Sequence, residues 1–99
     1  MPATRLTPDE LALALAALPE WSLYEGRLRR SYQFHDFVEA FAFMTAAALR
    51  IQEMDHHPEW FNVYNTVRVD LVTHDAQGVT ARDVQLAKRF EALSARWPK

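Results

Sequence analysis

Residues 21–34 read WSLYEGRLRRSYQF, and this stretch predicts the β-hairpin around which the fold can be arranged. Two strand-like segments, Trp21 to Tyr24 and Leu28 to Phe34, flank Glu25-Gly26, and glycine at this place is typical of a tight hairpin turn. Alternate residues of the second segment share one face, which holds Leu28, Arg30, Tyr32 and Phe34. Arg30 is the only member of that face that does not suit an apolar core.

Helix signals lie on both sides of this hairpin. Before it, Thr7-Pro8-Asp9-Glu10 is typical of a capped helix start, and Pro19 ends the helix. The apolar stripe of that helix consists of Leu11, Ala14, Leu15 and Leu18. Near the other end of the sequence, Thr80 to Asp83 begins a last helix. Its predicted inner side carries Val84, Ala87, Phe90, Leu93 and Trp97.

A longer helix is predicted between these two, from Asp36 to about Asp55 or His56. Asp36-Phe37-Val38-Glu39 has the spacing of a capping box, and Pro58 disfavours helical backbone at the residue before it. Two apolar stripes run along this helix, one with Phe37, Phe41, Met44, Ala48 and Ile51 and one with Val38, Ala42, Thr45 and Leu49. So broad an apolar face exceeds what one sheet contact needs, and it indicates a subunit interface as well.

Residues 61–73 alternate like a strand again, with one predicted face made of Phe61, Val63, Val67, Val69 and Leu71. A tight turn at Asn65-Thr66 would divide them into two strands, and a single long strand is the alternative. With the turn, the element order predicts an α+β fold of ββαββα order after an N-terminal helix. Its four-stranded antiparallel sheet carries the helices on one face. The length of 99 residues predicts one domain over 1–99.

Composition excludes several classes of site. The net charge of −2 argues against a nucleic-acid surface, and the absence of cysteine excludes disulfides, thiolate metal sites and cysteine nucleophiles. The polar stretch MPATRLTPDE at residues 1–10 carries no signal-peptide core, and the longest apolar run, Leu11 to Leu18, is too short to cross a membrane. We therefore expect a cytoplasmic protein that binds neither nucleic acid nor membrane.

Three histidines are the candidate chemical groups. His56 and His57 precede Pro58 at a helix C-terminus, where the partial negative charge of the helix favours imidazolium and so a general acid. Capping by solvated imidazoles explains the pair equally well. His74 lies where a strand ends and a loop with Gly78 begins, a common place for site residues. A surface histidine that helps to end the strand is the alternative there.

Asp83 has two interpretations. Its spacing from Thr80 is that of a capping box, and its carboxylate could also orient an imidazole. A zinc site is disfavoured because adjacent histidines project differently and no helical His-x3-His pair exists, so we expect no metal. Trp60 and Tyr64 share the face opposite Phe61 and are candidates for stacking on a flat heterocycle.

A longer motif resembles one enzyme family. Residues 55–65 read DHHPEWFNVYN, and they are followed by Val67, Leu71, Thr73-His74, Gly78, Arg82-Asp83 and Leu86-Ala87. From about Phe34 to Leu93 the chain resembles the pterin-4a-carbinolamine dehydratases. The resemblance implies a two-layer fold with a four-stranded antiparallel sheet, a homodimer or homotetramer, and a small-molecule pterin as substrate with no further cofactor.

The resemblance also implies a reaction, the dehydration of 4a-hydroxytetrahydropterin to quinonoid dihydropterin, which recycles the cofactor of aromatic amino-acid hydroxylases. By position, His56 and His74 resemble the acid/base histidines and His57 the one that binds and polarises the pterin. Asp83 matches the family aspartate. The segments that match the family's pterin contacts are Asp55, His56 and His57, then Val72, Thr73, His74 and Asp75. Gln52 departs from the pattern, because relatives often carry a charged residue there.

Two other functions fit the same residues. Some members of the family act as dimerisation partners of a transcription factor, and the broad face of the second helix would serve such a role. A pterin-binding protein of another pathway is the other alternative. The intact His56, His57 and His74 favour turnover, although they do not name the pathway or the pterin side chain.

Overall fold

Within residues 4–98, three α-helices and four β-strands follow one another in the predicted order. The computed structural model describes residues 4–98. The elements are α1 (Pro8–Ala17), β1 (Ser22–Tyr24), β2 (Arg27–Gln33), α2 (Phe37–Met54), β3 (Glu59–Val63), β4 (Thr66–Leu71), a 3₁₀ turn (His74–Ala76) and α3 (Ala81–Ser94). No helix in this part of the chain is both long and apolar enough to span a bilayer.

The four strands form one antiparallel sheet in the order β1-β2-β4-β3. This confirms the predicted fold class. The hairpin turn uses Glu25 and Gly26, both with positive φ, a conformation that matches the twist of the two strands it joins. Strand β4 lies between β2 and β3. The β3–β4 turn is therefore at one end of the sheet, and His74, which follows β4, is at the opposite end.

Side-chain caps define the helix starts, as predicted. Thr7 and Glu10 form a complete capping box. Asp36 accepts a hydrogen bond from the Glu39 amide, but the Glu39 carboxylate accepts from the His35 amide and leaves the box open. The predicted end of α2 is also confirmed, because its last helical residue is Met54 and the next residue, Asp55, is left-handed with φ 49°.

The predicted apolar face of residues 61–73 is wrong for β3. The turn consists of Tyr64 and Asn65, and the register pairs Val63 with Thr66 and Phe61 with Arg68. The odd-numbered residues of β3 therefore pair with even-numbered residues of β4. Phe61 and Val63 thus lie on the opposite face of the sheet from Val67 and Val69. Phe61 is consequently 50% exposed, whereas the Trp60 ring packs against Phe90 in the core.

The two apolar stripes predicted for α2 are also misplaced. The residues that α2 buries are Ala40, Phe43, Ala47 and Ile51, and Met44 packs beside them. Small alanines on this stripe let the helix approach its neighbours closely. Apart from Gln52 and Glu53 in the last turn, the exposed residues of α2 are Phe37, Val38, Phe41, Thr45, Ala48 and Leu49. We call these six residues the outer face of α2, and it is largely apolar.

Arg30, the charged residue on the otherwise apolar face of β2, has a partner on α3. Its guanidinium donates to Glu91 Oε1 at 2.6 Å, and Trp21 Nε1 and the Tyr32 hydroxyl donate to the same carboxylate. Burial and the Glu91 carboxylate raise the pKa of Tyr32 well above its ordinary value. The cluster joins α3 to β2 and explains a charged residue on the core side of the sheet.

Candidate functional site

The C-terminus of α2 places the first candidate histidines. The His56 amide donates to the Ile51 carbonyl at 3.3 Å and the Asp55 amide to the Gln52 carbonyl at 3.2 Å, the pairing of a Schellman motif. Because Asp55 is left-handed, the chain turns sharply after the helix. His56 then points inward and is only 7% exposed, while His57 lies on the surface.

Arg82, in the first turn of α3, holds this helix end in place. Its Nη2 donates to the carbonyl oxygens of Met54 at 2.8 Å and Asp55 at 3.0 Å. These carbonyls have no helical partner, and a guanidinium also suits the negative end of the helix dipole. The start of α3, which carries Asp83, is therefore joined directly to the end of α2, which carries His56.

Asp83 serves both predicted roles with separate oxygens. Oδ1 lies 2.6 Å from His56 Nε2, and Oδ2 accepts from the Thr80 amide at 2.8 Å, which closes the capping box of α3. The Asp83 side chain is fully buried. Since Oδ2 accepts two hydrogen bonds, the pattern of an ionised carboxylate, His56 Nε2–H is the donor to Oδ1.

Two threonine hydroxyls complete the buried network. Thr73 Oγ1 donates to Asp83 Oδ2 at 2.8 Å, and Thr80 Oγ1 lies 2.8 Å from Thr73 Oγ1. Because the Thr73 proton is used on Asp83, the Thr80 hydroxyl donates to Thr73 and accepts the Arg82 amide at 3.2 Å. Every side-chain oxygen of Asp83, Thr73 and Thr80 thus has a partner, so the position of Asp83 is defined from three sides.

The other two candidate histidines are exposed, and each has a carboxylate nearby. His57 Nε2 lies 3.6 Å from Asp55 Oδ1, and His74 Nε2 lies 3.7 Å from Glu59 Oε2. The other oxygen of Glu59 contacts Arg27 at 3.2 Å. The distances from His57 to Asp55 and from His74 to Glu59 are too long for hydrogen bonds, and exposed ion pairs contribute little to stability. All three histidines nonetheless face a negative charge.

An open cavity of about 240 Å³ brings the candidates together. It lies at the end of β4 and is lined by Asp55, His56, His57, Val72, Thr73, His74, Asp75 and Arg82. Every residue predicted to contact a pterin lines it, and Asp83 lies behind His56. A larger cavity of about 340 Å³, beside Phe34 and Trp97, is at the opposite end of the sheet and holds none of the predicted residues.

Comparison with known proteins places the whole arrangement in a family. Residues 4–93 match the family described as pterin 4 alpha carbinolamine dehydratase. The chain belongs to this pterin-4-alpha-carbinolamine dehydratase family. The match covers the three histidines, Asp83 and all of the elements except the last residue of α3.

Members of the family from several bacteria share about half of their residues with this chain. A protein of Solibacter usitatus, provisionally named a pterin-4-alpha-carbinolamine dehydratase, is 52% identical over 92 residues, covering 93% of this chain and 97% of its own. A protein of Burkholderia multivorans with the same provisional name is 54% identical over 93 residues, covering 92% and 91%. A crystal structure of a transcriptional coactivator/pterin dehydratase from Brucella melitensis matches with a TM-score of 0.87 at 48% identity, covering 91% and 98%.

Two predicted stacking residues are absent from the cavity of this dehydratase-family chain. Trp60 faces the core, and Tyr64 forms the β3–β4 turn at the far end of the sheet. Arg82 and Glu59, by contrast, had no predicted role at the site. Arg82 binds backbone carbonyls and Glu59 reaches His74 across a loop, so neither contact leaves a pattern in the sequence.

Proposed function

We propose that the chain catalyses the dehydration of 4a-hydroxytetrahydropterin to quinonoid dihydropterin by histidine acid/base catalysis. The observation that carries the proposal is the 2.6 Å contact between His56 and the buried Asp83, at a cavity that His57 and His74 also line. A carboxylate in this position holds an imidazole in one orientation and one tautomer, as a proton-transfer group requires. Membership of the dehydratase family supports the same reaction.

The reaction needs one proton donor and one acceptor. A histidine protonates the 4a-hydroxyl, the C4a–O bond breaks, and water leaves. A second histidine takes the N5 proton, and N5 and C4a become doubly bonded. With Nε2–H donated to Asp83, Nδ1 is the nitrogen of His56 that exchanges a proton, and it makes no hydrogen bond to any residue between 4 and 98. We assign the acid and base roles to His56 and His74.

The remaining lining residues bind the substrate in this proposal. His57 binds and polarises the pterin, and Asp55, Val72, Thr73 and Asp75 form the walls around it. The pterin is the substrate and no further cofactor is required, because imidazole side chains can both donate and accept protons. The product would return to an aromatic amino-acid hydroxylase as its recycled cofactor after reduction.

A dehydration assay tests the proposal directly. Freshly generated 4a-hydroxytetrahydropterin is followed by its absorbance with and without the protein. We expect the first-order rate of dehydration to rise in proportion to protein concentration. A protein that binds the pterin and leaves this rate at the uncatalysed value would instead be a pterin-binding protein, and the proposed activity would be wrong.

We also propose that the reaction proceeds without a metal. Within residues 4–98 no three His, Asp or Glu side chains lie close enough together to hold a metal ion. The expected result is therefore an unchanged kcat after exhaustive chelation and gel filtration. Activity that is lost on chelation and restored by added zinc would contradict this prediction.

The outer face of α2 supports a proposal about partners, a homodimer or homotetramer built through this helix. Phe37, Val38, Phe41 and Leu49 are large apolar residues that are each at least 47% exposed. Contiguous exposed apolar surface of this kind usually marks a protein interface. The same surface suits a coactivator that pairs with a transcription factor, the second candidate function, and the crystal structure from Brucella melitensis carries that description.

Self-association through this face gives a prediction for two neighbouring residues. Thr45→Arg should convert the oligomer to a folded monomer, because the new charge would be desolvated in the interface. Met44→Arg should instead lower the melting temperature, since Met44 packs on the core. Sedimentation and thermal unfolding measure both, with Gln85→Arg on the exposed side of α3 as control. A wild-type protein that sediments as a monomer at micromolar concentration would contradict the interface.

A further inference from the structure

The segment before α1 pairs with the loop that leads into α3. The Leu6 amide donates to the Val79 carbonyl at 2.9 Å, and Arg5 forms an isolated antiparallel bridge with Thr80. The Leu6 side chain also packs against the core. Residues 4–7 therefore lie beside residues 78–80, joined to them by one isolated bridge outside the four-stranded sheet. We call this segment the strap.

Arg5 in the strap lies directly on Gly78. A Cβ atom at Gly78 would lie 2.5 Å from Arg5 Cδ and 3.0 Å from Arg5 Cγ, distances that real Cβ atoms avoid. Gly78 does not have the positive φ that makes glycine necessary at other turns. Glycine is needed here because a side chain would collide with Arg5. The missing side chain lets the aliphatic stem of Arg5 pack against the backbone of the loop.

Gly78 in turn closes the loop that carries His74. The Thr73 amide donates to the Gly78 carbonyl at 3.0 Å, and the Gly78 amide lies 3.4 Å from the Thr73 carbonyl. Between these two residues the chain makes the 3₁₀ turn His74–Ala76 and a left-handed step at Gln77. The position of Gly78 therefore sets the point from which His74 projects into the cavity.

Thr80 extends the same chain of contacts to the buried pair of His56 and Asp83. It bridges to Arg5 on one side, and on the other its amide donates to Asp83, whose second oxygen faces His56. The strap thus contacts the two backbone positions that support His74 and Asp83, although it contributes no side chain to the cavity.

We propose that Arg5 is a positioning residue for the site: its stem, packed on Gly78, holds the His74 loop in the geometry needed for proton transfer. This inference rests on the dehydratase function proposed above. A misplacement of about 1 Å in a catalytic group can cost about 10²-fold in rate, so a contact outside the cavity can matter for turnover.

The test uses the collision that Gly78 avoids. Gly78→Ala should displace the His74 loop and lower kcat by about 10-fold or more, with a smaller change in KM. Arg5→Ala removes Cγ and Cδ, the two atoms that a Cβ at Gly78 would meet. Arg5→Ala should therefore also lower kcat, and the double variant Gly78→Ala/Arg5→Ala should lose little more than either single variant, because both changes break the same contact. Arg96→Ala, at another exposed arginine, should keep the wild-type kcat.

A spectroscopic readout keeps this inference separate from the proposed activity. The His74 ring-proton resonances report the loop without any turnover, and they should shift in Gly78→Ala, in Arg5→Ala and in the double variant. If Gly78→Ala does not fold, Arg5→Ala alone should shift these resonances and speed exchange of the Leu6 amide. Unshifted His74 resonances in folded Gly78→Ala and Arg5→Ala, or a double variant whose loss of kcat is the product of the two single losses, would overturn the positioning role even if the protein is a dehydratase.

Discussion

His56→Ala and His74→Ala should each lower kcat for pterin dehydration by about 10²-fold or more, because each removes a positioned acid or base. KM should change less, since the lost interaction acts mainly in the transition state. His56 is buried against Asp83, whereas His74 is exposed. We therefore expect His56→Ala also to lower the melting temperature and His74→Ala to leave it nearly unchanged. Steady-state kinetics and thermal unfolding of both variants measure these effects.

The fourth histidine of the chain provides the matched control. His35 is exposed, contacts Glu39 and lies at the opposite end of the sheet from the cavity. His35→Ala should keep both wild-type kcat and wild-type stability. Wild-type rates in His56→Ala and His74→Ala would refute the assignment of these two residues, and an equal loss in His35→Ala would show that the assay reports something other than the site.

The second large effect is expected for Asp83→Asn. The amide oxygen can still accept from Thr80 and Thr73, so the cap of α3 survives and the cost in stability should be about 1 kcal/mol or less. The amide nitrogen would then face His56 Nε2 as a donor, which favours the other imidazole tautomer. The reversed tautomer carries its proton on Nδ1, so Nδ1 of the neutral ring can no longer accept one, and we expect kcat to fall by about 10²-fold or more. An unchanged kcat in Asp83→Asn would reduce Asp83 to a structural cap.

Asp83→Ala separates the structural role from the electrostatic one. It leaves the Thr80 amide, the Thr73 hydroxyl and the His56 ring without their buried acceptor, which should cost about 3 kcal/mol or more in unfolding free energy. Urea unfolding compares it with Asp83→Asn. Equal stability of the two variants would contradict the hydrogen-bonded network as described.

The fold class followed from local signals that act over a few residues. The Glu25-Gly26 turn, the Thr7 and Thr80 capping boxes and the Pro58 stop each depend on neighbouring backbone, and the structure contains all of them. Their order along the chain was enough to predict an antiparallel sheet with helices on one face. The helix ends in turn showed that His56 and His57 follow a helix and that His74 follows a strand.

The assignment of faces depended on details that the sequence left open. A turn at Tyr64-Asn65 instead of one residue later reverses which side of β3 faces the core, and this moved Phe61 out and Trp60 in. Along α2 apolar residues occupy nearly the whole circumference, so hydrophobicity could not distinguish the side packed in the core from the outer face. Arg30 likewise depended on a partner, Glu91, that lies 61 residues away.

The sequence by itself therefore determined the elements, the family motif and the identity of the three histidines as candidates. Only the tertiary structure decided that Asp83 serves His56 with one oxygen and the α3 cap with the other, that Arg82 ties the two helix ends together, and that Glu59 lies beside His74. The physical reason is the range of the interactions. Caps and turns bond residues about three positions apart, whereas these contacts join residues 15 to 28 positions apart, several of them through backbone atoms that every residue carries.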